Sequence, residues 1–95
     1  MAFFVYIVAS APNGTLYTGM TDDLARRVHE HREKLRQGFA SQYRVSALVW
    51  YEVHETREVA FQRERQIKKW RRRWKLELIE TGNPTWRDLY ATLQL

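Results

Sequence analysis

Two short runs near the amino end restrict the fold of this chain more than anything else in it. FFVYIVA at 3–9 and TLYTGM at 15–20 are rich in β-branched and aromatic residues and are joined by SAPNG. Such residues fit a pleated, half-buried surface, and Asn13-Gly14 tolerates the positive φ that a tight reversal needs. The segment therefore reads as an antiparallel hairpin. A loop at 10–13 places Tyr6 opposite Tyr17, and directly paired residues share a face of a sheet. The stretch MAFFVYIVASA also has the apolar core and the small residues at Ala9 and Ala11 of a secretory leader. It lacks a positive leading segment and runs straight into turn chemistry, so it is read as a strand.

Thr21, Asp22 and Asp23 are N-cap and first-turn residues for a helix running to about Gln37, with Gly38 as its stop. Leu24, Val28 and Leu35 share one stripe of that helix, with His31 inside the stripe and Arg27 at its border. SALVWYEVH supplies a third strand, from about Ala47 to Val53. Thr56 or Glu55 opens a long helix to about Arg73, on which Ala60 and Ile67 mark the apolar face and Glu64 projects close to it. A short helix in WKLELIETG ends at Gly82, and a last one spans about Pro84 to Leu93. The order is ββαβααα. The expected architecture is an α+β domain, a small three-stranded antiparallel sheet flanked by helices, in a single domain over residues 1–95.

A core is affordable, because 44 % of the residues are hydrophobic and 14 % aromatic, which excludes a disordered chain. The formal charge of +5 favours polyanionic partners. Absence of cysteine excludes disulfides and thiolate metal sites and suits a reducing cytoplasm. No apolar run approaches the roughly 20 residues of a spanning helix, so no membrane role is expected. Lys68, Lys69, Arg71 and Arg72, with Arg73 and Lys75, form a dense basic patch around Trp70 and Trp74. Nucleic acid is the partner this patch suits, although a charge run also occurs as a solvated helix face. The two tryptophans suit base stacking or, at helical spacing, the core.

Each polar residue near the apolar faces also has a plain explanation. An arginine bordering a stripe extends to water, a buried histidine is often a hydrogen-bonded core residue, and Glu64 has many arginines with which to pair. The sheet tyrosines and Gly19 read singly as strand residues and a tight strand exit. Together they supply what metal-assisted phosphodiester hydrolysis requires. A carboxylate holds a divalent cation, a guanidinium stabilises the transition state, and an imidazole or phenol orients or deprotonates water. Gly19 lets a backbone or a phosphate come close.

In this combination the sequence resembles the GIY-YIG endonucleases, in particular small stand-alone bacterial members related to the catalytic domain of the excision-repair nuclease subunit. FVYIV at 4–8 resembles the GIY segment with Tyr6 at its tyrosine, and YTG at 17–19 resembles YIG. Arg27 and His31 match the family's arginine and the histidine or tyrosine one turn later. FQRERQIKKW at 61–70 resembles the stretch with the metal-binding glutamate, here Glu64, and GNPTWRDL at 82–89 the stretch with an asparagine, here Asn83. Phe4 stands where the motif has glycine, and Met20 where the repair subunit has lysine.

The resemblance implies a metal-dependent endonuclease. Glu64 would bind Mg²⁺ or Mn²⁺, and Arg27 would contact the scissile phosphate. Tyr6 or Tyr17, helped by His31, would act on the water, with Asn83 accessory. The expected substrate is DNA, cut with little sequence specificity, and DNA repair is the process the resemblance suggests. Lys68, Lys69, Arg71 and Arg72, with Arg36, Gln42, Tyr43 and Arg44, would hold the backbone. With no separate recognition domain in the segment, targeting would come from substrate shape, a protein partner or a homodimer. A non-catalytic nucleic-acid-binding module on the same fold is the competing reading. An adapter for an acidic protein is a third, with no positive sign in the sequence.

Overall fold

The computed structural model describes residues 1–33 and 47–93. In it the hairpin forms as β1 (Phe3–Ala9) and β2 (Leu16–Thr21). Gly14 N–H donates to the Ala11 carbonyl at 2.9 Å and Ser10 N–H to that of Thr15 at 3.0 Å. Between them Asn13 takes φ 59° directly after Pro12, the residue pattern of a type II turn. The connection therefore occupies residues 10–15, longer than the expected 10–13, and the register moves with it. Tyr6 faces Gly19, and Tyr17 faces Val8. Side chains alternate with a period of two, so this two-position displacement keeps both phenols on one face as diagonal neighbours.

The third strand, β3 (Ala47–His54), pairs antiparallel with β1, giving the sheet order β2-β1-β3. Ile7 faces Trp50 and Val8 faces Leu48, so Val49 is the extra residue of a β-bulge. The central strand is covered on both sides. Phe3, Val5, Ile7 and Ala9 pack with Val49, Ala60, Ile67, Ile79 and Trp86, whereas Tyr6 and Val8 pack with Leu24, Val28 and Leu48.

Helix α1 (Leu24–Glu33) lies on the Tyr6 face and buries Leu24, Val28 and His31, the stripe read from the sequence. Asp23 caps it, its Oδ1 accepting from Arg26 N–H at 3.2 Å. The expected stop at Gln37–Gly38, the stripe residue Leu35, and Arg36, Gln42, Tyr43 and Arg44 lie outside the described residues. On the other face α2 (Arg57–Lys68) starts at Thr56, whose hydroxyl accepts from Val59 N–H at 3.3 Å.

The expected long helix to Arg73 ends earlier. Lys69 and Trp70 N–H turn back to the Gln66 and Ile67 carbonyls, Arg71 is extended at ψ 155°, and α3 runs from Arg72 to Gly82. The turn brings Trp70 and Ile79 onto the same core. The last element also differs in extent, being one 3-10 turn, Leu89–Thr92, with Asp88 as its cap. Trp86 has φ 58°, which ends helical geometry there, and its indole is buried with Nε1 donating to Glu80 at 2.9 Å.

Candidate active site

At the centre of the site is a phenol on the most buried strand. Tyr6 has no exposed surface. Its Oη accepts from Arg27 Nε at 3.2 Å and lies 3.0 Å from His31 Nε2. A phenol that accepts from the guanidinium has its own proton left to give, and His31 Nε2 is positioned to take it. Helical geometry makes this possible, because Arg27 and His31 are one turn apart on α1 and so project from one face. The buried stripe of Leu24 and Val28 holds that face on the sheet.

Burial pushes the Tyr6 phenol up to about 12, against the lowering effect of the Arg27 charge and hydrogen bond, and the Tyr17 and Glu64 charges add to the rise. Burial works against the charge on Arg27, but Tyr6 and Glu30 outweigh it and raise its pKa above the usual arginine value. Glu30 accepts from Arg27 Nη1 at 3.2 Å and fixes the guanidinium from its second side. It was missed in the sequence, although its position three residues after Arg27 on a helix was a usable signal.

The phenol shift has a measurable consequence. An unfolded tyrosine titrates near 10, so above that pH the unfolded chain loses its proton before Tyr6 does. Tyr6 thus contributes stability that is fully present below pH 10 and is lost as the pH rises toward 12. In urea unfolding followed across this range, the wild type is expected to lose about 2–3 kcal/mol more than Tyr6→Phe.

Gly19, opposite Tyr6, is where the strands need a residue without a side chain. A Cβ there would lie 2.6 Å from Tyr6 Oη, 2.8 Å from Cζ and 3.1 Å from Tyr17 Cε1. The group that comes close at Gly19 is thus the Tyr6 phenol. Tyr17 is half-buried, its ring 5.3 Å from the His31 ring.

Glu64 reaches the same strands from the opposite face. It lies between the buried Ala60 and Ile67 of α2, with its side chain 12 % exposed. Lys68 Nζ pairs with its carboxylate at 3.0 Å and sits 5.9 Å from the centre of the Tyr17 ring. Among the described residues no group of three or more His, Cys, Asp or Glu side chains could hold a metal ion. A single carboxylate suits Mg²⁺ or Mn²⁺, since Mg²⁺ is typically held by one or two carboxylates together with water and substrate phosphates.

Asn83 is fully occupied with the scaffold. Its Nδ2 donates to the Val49 carbonyl at 3.1 Å and to that of Arg87 at 2.9 Å, and its Oδ1 accepts from Arg87 N–H at 3.2 Å. The Val49 carbonyl belongs to the bulge residue, so the asparagine serves a group the ladder leaves over. Asn83→Ala would strand buried polar groups and is expected to cost about 2–4 kcal/mol in urea denaturation.

The expected backbone-holding residues divide. Lys68 faces Glu64, and Arg72 Nη2 donates to the Asn13 and Gly14 carbonyls at 2.8 and 2.6 Å. Arg71 lies over the Trp74 ring at 5.2 Å, and Lys69 is exposed at the end of α2. Trp70 is partly buried against the core, whereas Trp74 is 47 % exposed. Among the described residues, no helix is long and apolar enough to cross a membrane.

Comparison with known proteins gives the same picture. UPF0213 proteins of Staphylococcus aureus strains N315 and Mu50 are 39 % identical over 77 residues, covering 81 % of this chain and 93 % of theirs. The solution NMR structure of a UPF0213 protein from Bacillus halodurans superposes with a TM-score of 0.57 at 26 % identity, covering 93 % of both chains. Residues 2–77, which include the strands, Arg27, His31 and Glu64, match the family described as the GIY-YIG catalytic domain, a domain typical of nucleases. The chain belongs to the GIY-YIG family.

Proposed function

We propose that the protein is a divalent-metal-dependent endonuclease that hydrolyses nucleic-acid phosphodiester bonds, those of DNA foremost, with little sequence specificity. One observation carries this reading: Arg27 and His31 meet at the Tyr6 phenol, while the charge of Glu64 is felt at that phenol and its partner Lys68 lies over the Tyr17 ring. Two sides of the Arg27 fork are fixed by Tyr6 and Glu30, which aims its remaining N–H donors at an incoming phosphate. Tyr17, the half-buried phenol, orients the attacking water. Tyr6, sealed from solvent, stays protonated and donates its O–H to His31 Nε2, which holds the imidazole beside the Tyr17 ring. A divalent cation at Glu64 supplies neutralisation of phosphate and leaving-group charge when bound. Asn83 contributes by holding β3 and the loop after α3 in place.

The Lys68–Glu64 pair favours a second reading, a non-catalytic nucleic-acid-binding module. A carboxylate already neutralised by an ammonium does not repel a phosphate. Incubation of supercoiled plasmid and branched oligonucleotides with wild type and Glu64→Gln, in Mg²⁺, Mn²⁺ or chelator, separates the two. Nicking that needs the metal and the carboxylate supports the nuclease. Salt-sensitive binding by both proteins with no cleavage by either supports the module.

A further inference from the structure

A second basic cleft lies beside the candidate site, on the α3 side of the β2 edge. Thr15, Leu16, Arg72 and Lys75 enclose a space of about 290 Å³. Arg72 is fixed there by its two hydrogen bonds to the hairpin carbonyls at Asn13 and Gly14, so its charge is anchored without being neutralised by a carboxylate. Lys75 is half-buried, and among the described residues no acid is paired with it. Its ammonium is held below the usual lysine range by burial first and then by the Arg72 and Lys68 charges. Two cations thus line the cleft, and among the described residues neither is paired with a carboxylate.

Position in the chain gives this charge a direction. Leu16 opens β2 immediately before Tyr17, and Thr15 precedes it as the last residue of the hairpin connection. Two strand residues span about 7 Å, which corresponds to one or two nucleotides of a nucleic-acid strand. Lys68 connects the two places, since it lies over the Tyr17 ring and its charge is felt at Lys75.

We propose that the Thr15–Arg72–Lys75 cleft binds a phosphodiester of the substrate strand one or two nucleotides from the one that is cut, with Lys75 as the residue that contacts it. The inference rests on the nuclease reading and adds a strand path to it. That path would lead from the Tyr17 site toward the hairpin turn and the start of α3.

The test is equilibrium binding of fluorescein-labelled DNA, as single strand and as duplex, in EDTA across a range of salt. Lys75→Gln is expected to weaken binding about five- to tenfold and to lower the slope of log affinity against log salt by about 1, with Lys75→Arg restoring both. Neutralising the phosphates one at a time as methylphosphonates should reveal one whose loss weakens the wild type and leaves Lys75→Gln unaffected. An unchanged salt slope in Lys75→Gln, or a scan in which no phosphate behaves this way, overturns the cleft. Binding in EDTA requires no turnover, so a wild type that binds but never cuts overturns the nuclease reading and leaves the cleft to be judged on its own slope. If Lys75→Gln does not fold, Lys75→Met, which keeps the apolar stem and removes the charge, is read by the same slope and the same scan.

Discussion

Replacement of Glu64 by glutamine is expected to lower metal-dependent strand cleavage roughly a thousandfold, the scale on which a charged group aimed at a transition state acts. The substitution keeps size and removes charge, so the α2 packing of Ala60 and Ile67 is left intact. It also releases Lys68 from its 3.0 Å partner. Binding of nucleic acid in chelator should therefore hold or tighten, because an ammonium formerly neutralised now faces the phosphates. Single-turnover cleavage and binding, measured side by side on one preparation, test both expectations. Equal cleavage by wild type and variant would mean that the cation is held elsewhere and that Glu64 serves Lys68 alone.

The second large effect is at Gly19. Gly19→Ala would put a methyl group 2.6 Å from Tyr6 Oη, well inside contact distance. The phenol has little freedom to yield, because Arg27 and His31 hold its oxygen and the ring has no exposed surface. Either the hydrogen bonds to Arg27 and His31 lengthen or the strands separate. A displacement on the scale of 1 Å costs on the order of a hundredfold in rate, and overpacking costs about 1–3 kcal/mol of stability. The cause can be isolated. In a Tyr6→Ala background the two nearest contacts of the added methyl are gone and Tyr17 Cε1 at 3.1 Å remains, so most of the stability penalty of Gly19→Ala should vanish in a double-mutant cycle. Gly82, where a Cβ would meet nothing within 4 Å, is the control, and Gly82→Ala should be neutral or stabilising by up to about 1 kcal/mol. An equal penalty at Gly19 with and without Tyr6 would place the strain in the β2 backbone.

What could be read in the sequence followed from local chemistry. The hairpin, the capping residues Asp23 and Thr56, and the apolar faces of α1 and α2 are each encoded within a few neighbouring residues, and all appear in the structure. The same locality explains the errors. The break between α2 and α3 contains neither glycine nor proline, and KKWRRRW has nothing to end a helix except the gain from folding Trp70 and Ile79 onto one core. The carbonyl of the bulge residue Val49 is met by an amide 34 residues away. Trp86 sits in the positive-φ region, a backbone conformation for which its residue type gives no cue. The hairpin register was displaced because Ser10 and Thr15 close the turn outside the pair that marks it.

The position of Tyr6 on β1 has a consequence for how this protein can fail. Chemistry is usually carried on loops, which open and close at little expense while the scaffold persists. Here the phenol at the centre of the site is part of the inner strand, flanked on both sides by paired neighbours and covered by helices on both faces. Exposing it means dismantling the sheet. Melting of a surface loop therefore leaves the Tyr6 phenol where it is. Exposure of this phenol and loss of the sheet go together, so a cell controlling this protein would have to act on what reaches the edge strand.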